Sequence, residues 1–111
     1  MQFNNEPAAR KFATTPGVSG GLPIDTGRHV YVNWTPILEK RGAHHPSLNP
    51  FTMPENKGLQ MDYSLEMCPK TLDLLKRTVY IPMDPDAGRS QNEQHIETCL
   101  KAAKEIQPDR N

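Results

Sequence analysis

The chain has 111 residues, thirteen basic and thirteen acidic side chains that cancel, eleven prolines and a hydrophobic share of 35%. This length predicts one domain over residues 1–111 with a modest private core, and the prolines require much irregular surface chain. The balanced charge has no block of one sign and so excludes the footprint of a nucleic-acid binder. The short apolar runs and the polar start Met1 to Pro7 exclude a membrane span and a signal peptide, which leaves the cytoplasm as the expected compartment.

Asn5 stands before Glu6-Pro7, where its side chain can accept from an orphan amide of a first turn that tolerates proline. A short helix is therefore expected from Glu6 through Ala13, stopped by Thr14-Thr15-Pro16-Gly17 and followed by a loop over 14–28. Within Arg28 to Asn33, the run Val30-Tyr31-Val32 is β-branched or aromatic. Read as a strand, alternation sends His29 and Tyr31 to one face and Val30 and Val32 to the other. Thr35-Pro36 repeats the cap-plus-proline signal, predicting a short helix over Ile37 to Arg41 that Gly42 ends. Pro46, Pro50 and Pro54, with Asn49, Asn56 and Gly58, leave 42–68 as a long loop without a long element, suited to a partial lid.

Pro69 opens the next expected helix, in which Leu72 and Leu75 lie one turn apart, and Thr78-Val79-Tyr80-Ile81 reads as a short strand that Pro82 ends. Ser90-Gln91-Asn92-Glu93 has the spacing of a capping box. Ile96, Cys99, Leu100, Ala103 and Ile106 then recur at three and four, the stripe of an amphipathic helix. That helix is expected to lay Ile96, Leu100 and Ala103 on a small sheet containing Tyr31 and Val79.

Few residues here have the spacing that chemistry requires. His44 and His45 are adjacent and so cannot easily share one ion, and Cys68 and Cys99 lack Cys-x-x-Cys spacing; both pairs read as ordinary, with the thiols reduced and partly buried and no metal site expected. The triplet Asn33-Trp34-Thr35 matches a glycosylation sequon that means nothing without secretion. Gly17-Val18-Ser19-Gly20-Gly21 lacks the Gly-Lys-Ser/Thr ending of a phosphate loop, and no nucleophile, base and acid stand out as a set. Trp34 and Tyr31 offer rigid apolar walls with polar tips, which serve a binding edge or a small core equally well.

Two stretches carry a resemblance: His29-Val30-Tyr31-Val32-Asn33-Trp34 running on to Pro46, and Met67-Cys68-Pro69-Lys70-Thr71-Leu72 running on to Pro82. They resemble the C-terminal part of the pyridoxal-phosphate aminotransferases of the DegT/DnrJ/EryC1/StrS family, with similarity from about Ala9 to Ile106. The resemblance implies an α+β fold, a small antiparallel sheet with flanking helices and a long proline-rich loop. In that family such a domain closes the active site of a large domain that holds the cofactor on a lysine. It also implies transfer of an amino group, usually from glutamate or glutamine, to a keto-sugar or keto-cyclitol, with the large domain or a homodimer partner as the protein partner.

By the same resemblance His29, Tyr31, Asn33 and Trp34 are the substrate-binding residues. No lysine here has the family's cofactor-lysine setting, so no catalytic residue is assigned, and pyridoxal phosphate is not expected to bind the chain alone. The chain departs from the family pattern at Met83-Asp84-Pro85-Asp86-Ala87-Gly88-Arg89, where a His-Pro-Asp and a helix-opening Trp-Thr are usual, and in its shortened region ahead of Thr14. The alternative reading is a small non-catalytic interaction module that kept the fold.

Overall fold

A computed structural model describes residues 1–42, 44–59 and 62–108; Ala43, Gln60 and Met61 of the expected long loop, and the side chain of Arg28, lie outside the described residues. Among the described residues there are four α-helices: α1 (Glu6–Ala13), α2 (Thr35–Leu38), α3 (Pro69–Lys76) and α4 (Arg89–Ile106). Five single 3-10 turns accompany them. The chain divides into two compact units, the first made of Met1–Thr26 with Lys70–Asn111 and the second of Gly27–Pro69.

In the first unit the Asn5 side chain accepts from the Ala8 amide at 2.9 Å, which starts α1 where the capping signal puts it. Glu6 in the first turn and Arg10 and Lys11 in the last suit the helix dipole. The inner face of α1 buries Ala9, Phe12 and Ala13, and the ring of Phe12 lies 4.9 Å from that of Phe3. Val18, Leu22, Val79, Cys99 and Ala102 complete this core. Phe12 is fully enclosed, so its burial contributes about 2–3 kcal/mol. Arg10 ties α1 to the turn Pro23–Asp25, with two hydrogen bonds to the Asp25 carboxylate at 3.0 and 3.2 Å and one to Glu6 at 2.8 Å.

The expected antiparallel sheet is not found: half of the described residues are helical, and strand-like pairing is reduced to the isolated bridges Gln2 with Thr78 and Gly21 with Tyr80. The α+β class is therefore corrected to a mainly helical one. Thr78 to Ile81 does run extended enough to pair, but its two neighbours come from different loops and each supplies one residue. Tyr80 exchanges both backbone bonds with Gly21 at 3.0 Å, while Val79 donates to the Met1 carbonyl at 2.7 Å. Pro82 then removes the next donor, so no ladder can extend. At Gly21 an added Cβ would lie 2.7 Å from the outer end of the half-exposed Tyr80 ring, which would have to shift.

Two expectations for the last helix also change. The cap is Gly88 rather than Ser90: Gly88 is extended, the helix begins at Arg89, and the Gln91 side chain accepts from the Gly88 amide at 3.3 Å. Glu93 lies inside the helix, bonded by Arg89 at 2.7 Å across one turn, and this pair holds only if both residues are helical. The buried meridian of α4 is Cys99 and Ala102, whereas Ile96 and Leu100 are 47% and 48% exposed. Small residues let α4 approach the inner face of α1 closely. The apolar stripe is wider than the face α1 covers, so its outer edge stays in water.

The second unit replaces the strand expected over Arg28 to Asn33 with two 3-10 turns, Gly27–His29 and Tyr31–Asn33. Three amides here find a carbonyl three residues back: Val30 bonds Gly27 at 3.1 Å, Asn33 bonds Val30 at 3.0 Å and Trp34 bonds Tyr31 at 2.9 Å. Three alternating residues with no pairing strand cannot satisfy their amides as a strand, so the local turns win. The α2 helix begins at Thr35, two residues before the expected start, and ends before Lys40, which adopts φ 53. As the breakers require, the described residues of the rest of the unit hold only the turns Pro46–Leu48 and Pro54–Asn56, with Phe51 set edge-on to Tyr63.

Candidate functional site

The four residues singled out as substrate-binding do not share one face. His29 is exposed at the end of its 3-10 turn, and Trp34 is 46% exposed at the start of α2. Tyr31 is buried, its hydroxyl donating to the Leu65 carbonyl at 2.6 Å and accepting from the Cys68 amide at 3.2 Å. Asn33 turns back on its own segment and donates to the Gly27 carbonyl at 2.7 Å. The alternation that joined His29 to Tyr31 is thus lost with the strand. Tyr31 is the one of the four that is buried; Asn33 is exposed but tied to its own segment, and His29 and Trp34 are exposed beside it.

Pyridoxal phosphate requires an amine in a recess, a cradle for its phosphate and a polar partner for its ring nitrogen. All seven lysines are exposed. Lys104 edges a groove of about 330 Å³, but the remaining lining residues, Met1, Gln2, Phe3, Leu100, Ala103 and Gln107, include no carboxylate and form no anion cradle. The residues present do not fit this cofactor.

Cys68 is exposed, which corrects its expected partial burial, while Cys99 is buried and its sulfur lies 3.9 Å from Nε2 of His95. Burial raises the Cys99 thiol above its ordinary range, so it stays protonated and unreactive at neutral pH. His44 and His45 are exposed, and His45 accepts from the Ser47 amide through Nδ1 at the start of a 3-10 turn. Among the described residues no three His, Cys, Asp or Glu side chains are placed to hold a metal ion, and no helix is long and apolar enough to cross a membrane.

The feature that reading in chain order misses is on the first unit. A second groove of about 320 Å³ runs along α4 between Met83, Ile96, Cys99 and Leu100, and it shares Met1 and Leu100 with the first groove. Met1, Met83, Ile96 and Leu100 are each between 42% and 48% exposed, so this is a contiguous apolar surface of a kind seldom left open to water. The signal was present in the width of the stripe on α4. No protein-family model, no curated protein and no solved structure matches the chain.

Proposed function

We propose that the chain is the non-catalytic, substrate-side piece of a pyridoxal-phosphate aminotransferase resembling the DegT/DnrJ/EryC1/StrS family. It works only beside a large domain that carries the cofactor lysine. The cofactor, when bound there, supplies the electron sink for amino transfer; the part of this chain is to present His29 and Trp34 to a keto-sugar or keto-cyclitol. The observation that carries the reading is that the two segments bearing the resemblance are joined by one hydrogen bond, the Cys68 amide donating to the Tyr31 hydroxyl. Tyr31 stands in the chain between His29 and Trp34, so that bond anchors the segment that carries both.

The seven exposed lysines and the lack of a sheet among the described residues favour a second reading, a small interaction module without chemistry. Mixing the chain with a separately expressed lysine-bearing large domain discriminates between them. Transfer from glutamate to a nucleotide-linked keto-sugar that needs both chains supports the first reading. A complex with no gain in transfer supports the second, and no complex at all contradicts the first.

A further inference from the structure

The outer edge of α4 carries an ordered set of charges, of which its own fold pairs Glu93 with Arg89. Glu93 and Glu97 lie in the N-terminal half and Lys101 and Lys104 in the C-terminal half, all at helical spacing on the flank beside Ile96 and Leu100. The helix dipole does not account for this order, because its influence fades within the terminal turns and Glu97 and Lys101 are mid-helix. The exposed apolar pair and the charges therefore describe one surface of the first unit: a greasy seam with an acidic end and a basic end.

We propose that this surface binds a second copy of the chain, α4 against α4 in antiparallel orientation about a two-fold axis. In that arrangement a flank faces the same flank of its partner with the direction reversed, so Glu93 meets Lys104 and Glu97 meets Lys101. Both pairs have nearly the same centre, at Thr98 and Cys99, and Ile96 opposite Leu100 shares it. One register thus satisfies the two ion pairs and the apolar contact together, each occurring twice by symmetry. A partner of unrelated sequence would not require the two halves of one helix to complement each other. Arg89 already holds one oxygen of Glu93 at 2.7 Å, which leaves that carboxylate oriented along the flank. The seam lies wholly within the first unit and is independent of the aminotransferase reading.

Sedimentation of the 111-residue chain over a range of concentrations is the test. The parent is expected to form a dimer that weakens as salt is raised, since the rim pairs are exposed to screening. The variant Glu93→Lys with Glu97→Lys leaves Glu105 as the one acidic group beside a basic flank, and Lys101→Glu with Lys104→Glu leaves Arg89 as the one basic group beside an acidic flank. Each alone is expected to self-associate at least about tenfold more weakly, the effect of exchanging several exposed attractions for repulsions. An equimolar mixture is expected to recover the dimer as a heterodimer. Circular dichroism confirms that each variant keeps its helix, and Leu100→Glu provides a third disruption of the seam itself. A parent that stays monomeric, variants that dimerise as the parent does, or a mixture of folded variants that fails to associate would each overturn the proposal.

Discussion

The Tyr31 hydroxyl and the Leu65 carbonyl meet at 2.6 Å across 34 residues of chain, and the same oxygen receives the Cys68 amide. A buried phenol thus gathers the end of a proline-rich segment that has no ladder or long helix to hold it. Removing the hydroxyl leaves a carbonyl and an amide to find other partners.

Tyr31→Phe is accordingly expected to destabilise the second unit by about 1–2 kcal/mol, the cost of one lost hydrogen bond with its partners left short. Amide exchange at Cys68 should quicken and urea should unfold the unit earlier. Unchanged exchange at Cys68 would mean that the phenol does not hold this backbone.

Phe12 has no exposed surface and stacks at a tilt on Phe3. Phe12→Ala is expected to cost about 3–5 kcal/mol, enough to unfold much of the first unit, because the site loses both transfer energy and packing. Thermal unfolding followed by near-ultraviolet and far-ultraviolet signals would show both transitions moving together.

On α4 the inner and outer faces should respond oppositely. Leu100, about half exposed, should tolerate Ala at a cost below about 1 kcal/mol in the isolated subunit, whereas Ala102→Leu forces a larger side chain against α1 and should cost about 1–3 kcal/mol. Denaturant midpoints of the two variants at low protein concentration give the comparison. A cavity-sized loss at Leu100 would return it to the core.

The thiols should separate by reactivity. Cys68 is exposed and Cys99 buried, so a disulfide reagent on the folded chain should titrate one thiol fast and the second only with unfolding. Because burial raises the folded Cys99 above its ordinary 9.0, the unfolded chain loses that proton first. The contribution of this thiol is thus present below that ordinary value and is lost as pH rises through the higher folded one. Cys99→Ala should flatten that alkaline decline, and two equally fast thiols in the parent would contradict the burial.

Local signals were legible where a single residue type decides the outcome. Asn5 with Pro7, Pro69 and the prolines between 42 and 68 all act through the nearest backbone groups, and the helices and loops they predict are found. What depended on a partner was not legible. Val30 to Val32 has the composition of a strand but no strand beside it, and Thr78 to Ile81 meets two loops rather than an edge. The stripe on α4 gave the helix but not which part of a wide apolar face would be covered, because that depends on Ala9 and Phe12 of another helix. His29 and Trp34 were named as site residues by resemblance and are exposed. Of the two others that the resemblance singles out, Tyr31 is buried and Asn33, though exposed, bonds a backbone carbonyl of its own segment.

Adding the chain stepwise to a purified lysine-bearing large domain, and measuring glutamate-dependent amination of a keto-sugar, is the most direct measurement. The expected result is a rate that rises and saturates at one chain per large domain, with His29→Ala and Trp34→Ala saturating at the same ratio but needing more acceptor to reach half the rate. A rate that does not change with added chain would contradict the proposed role.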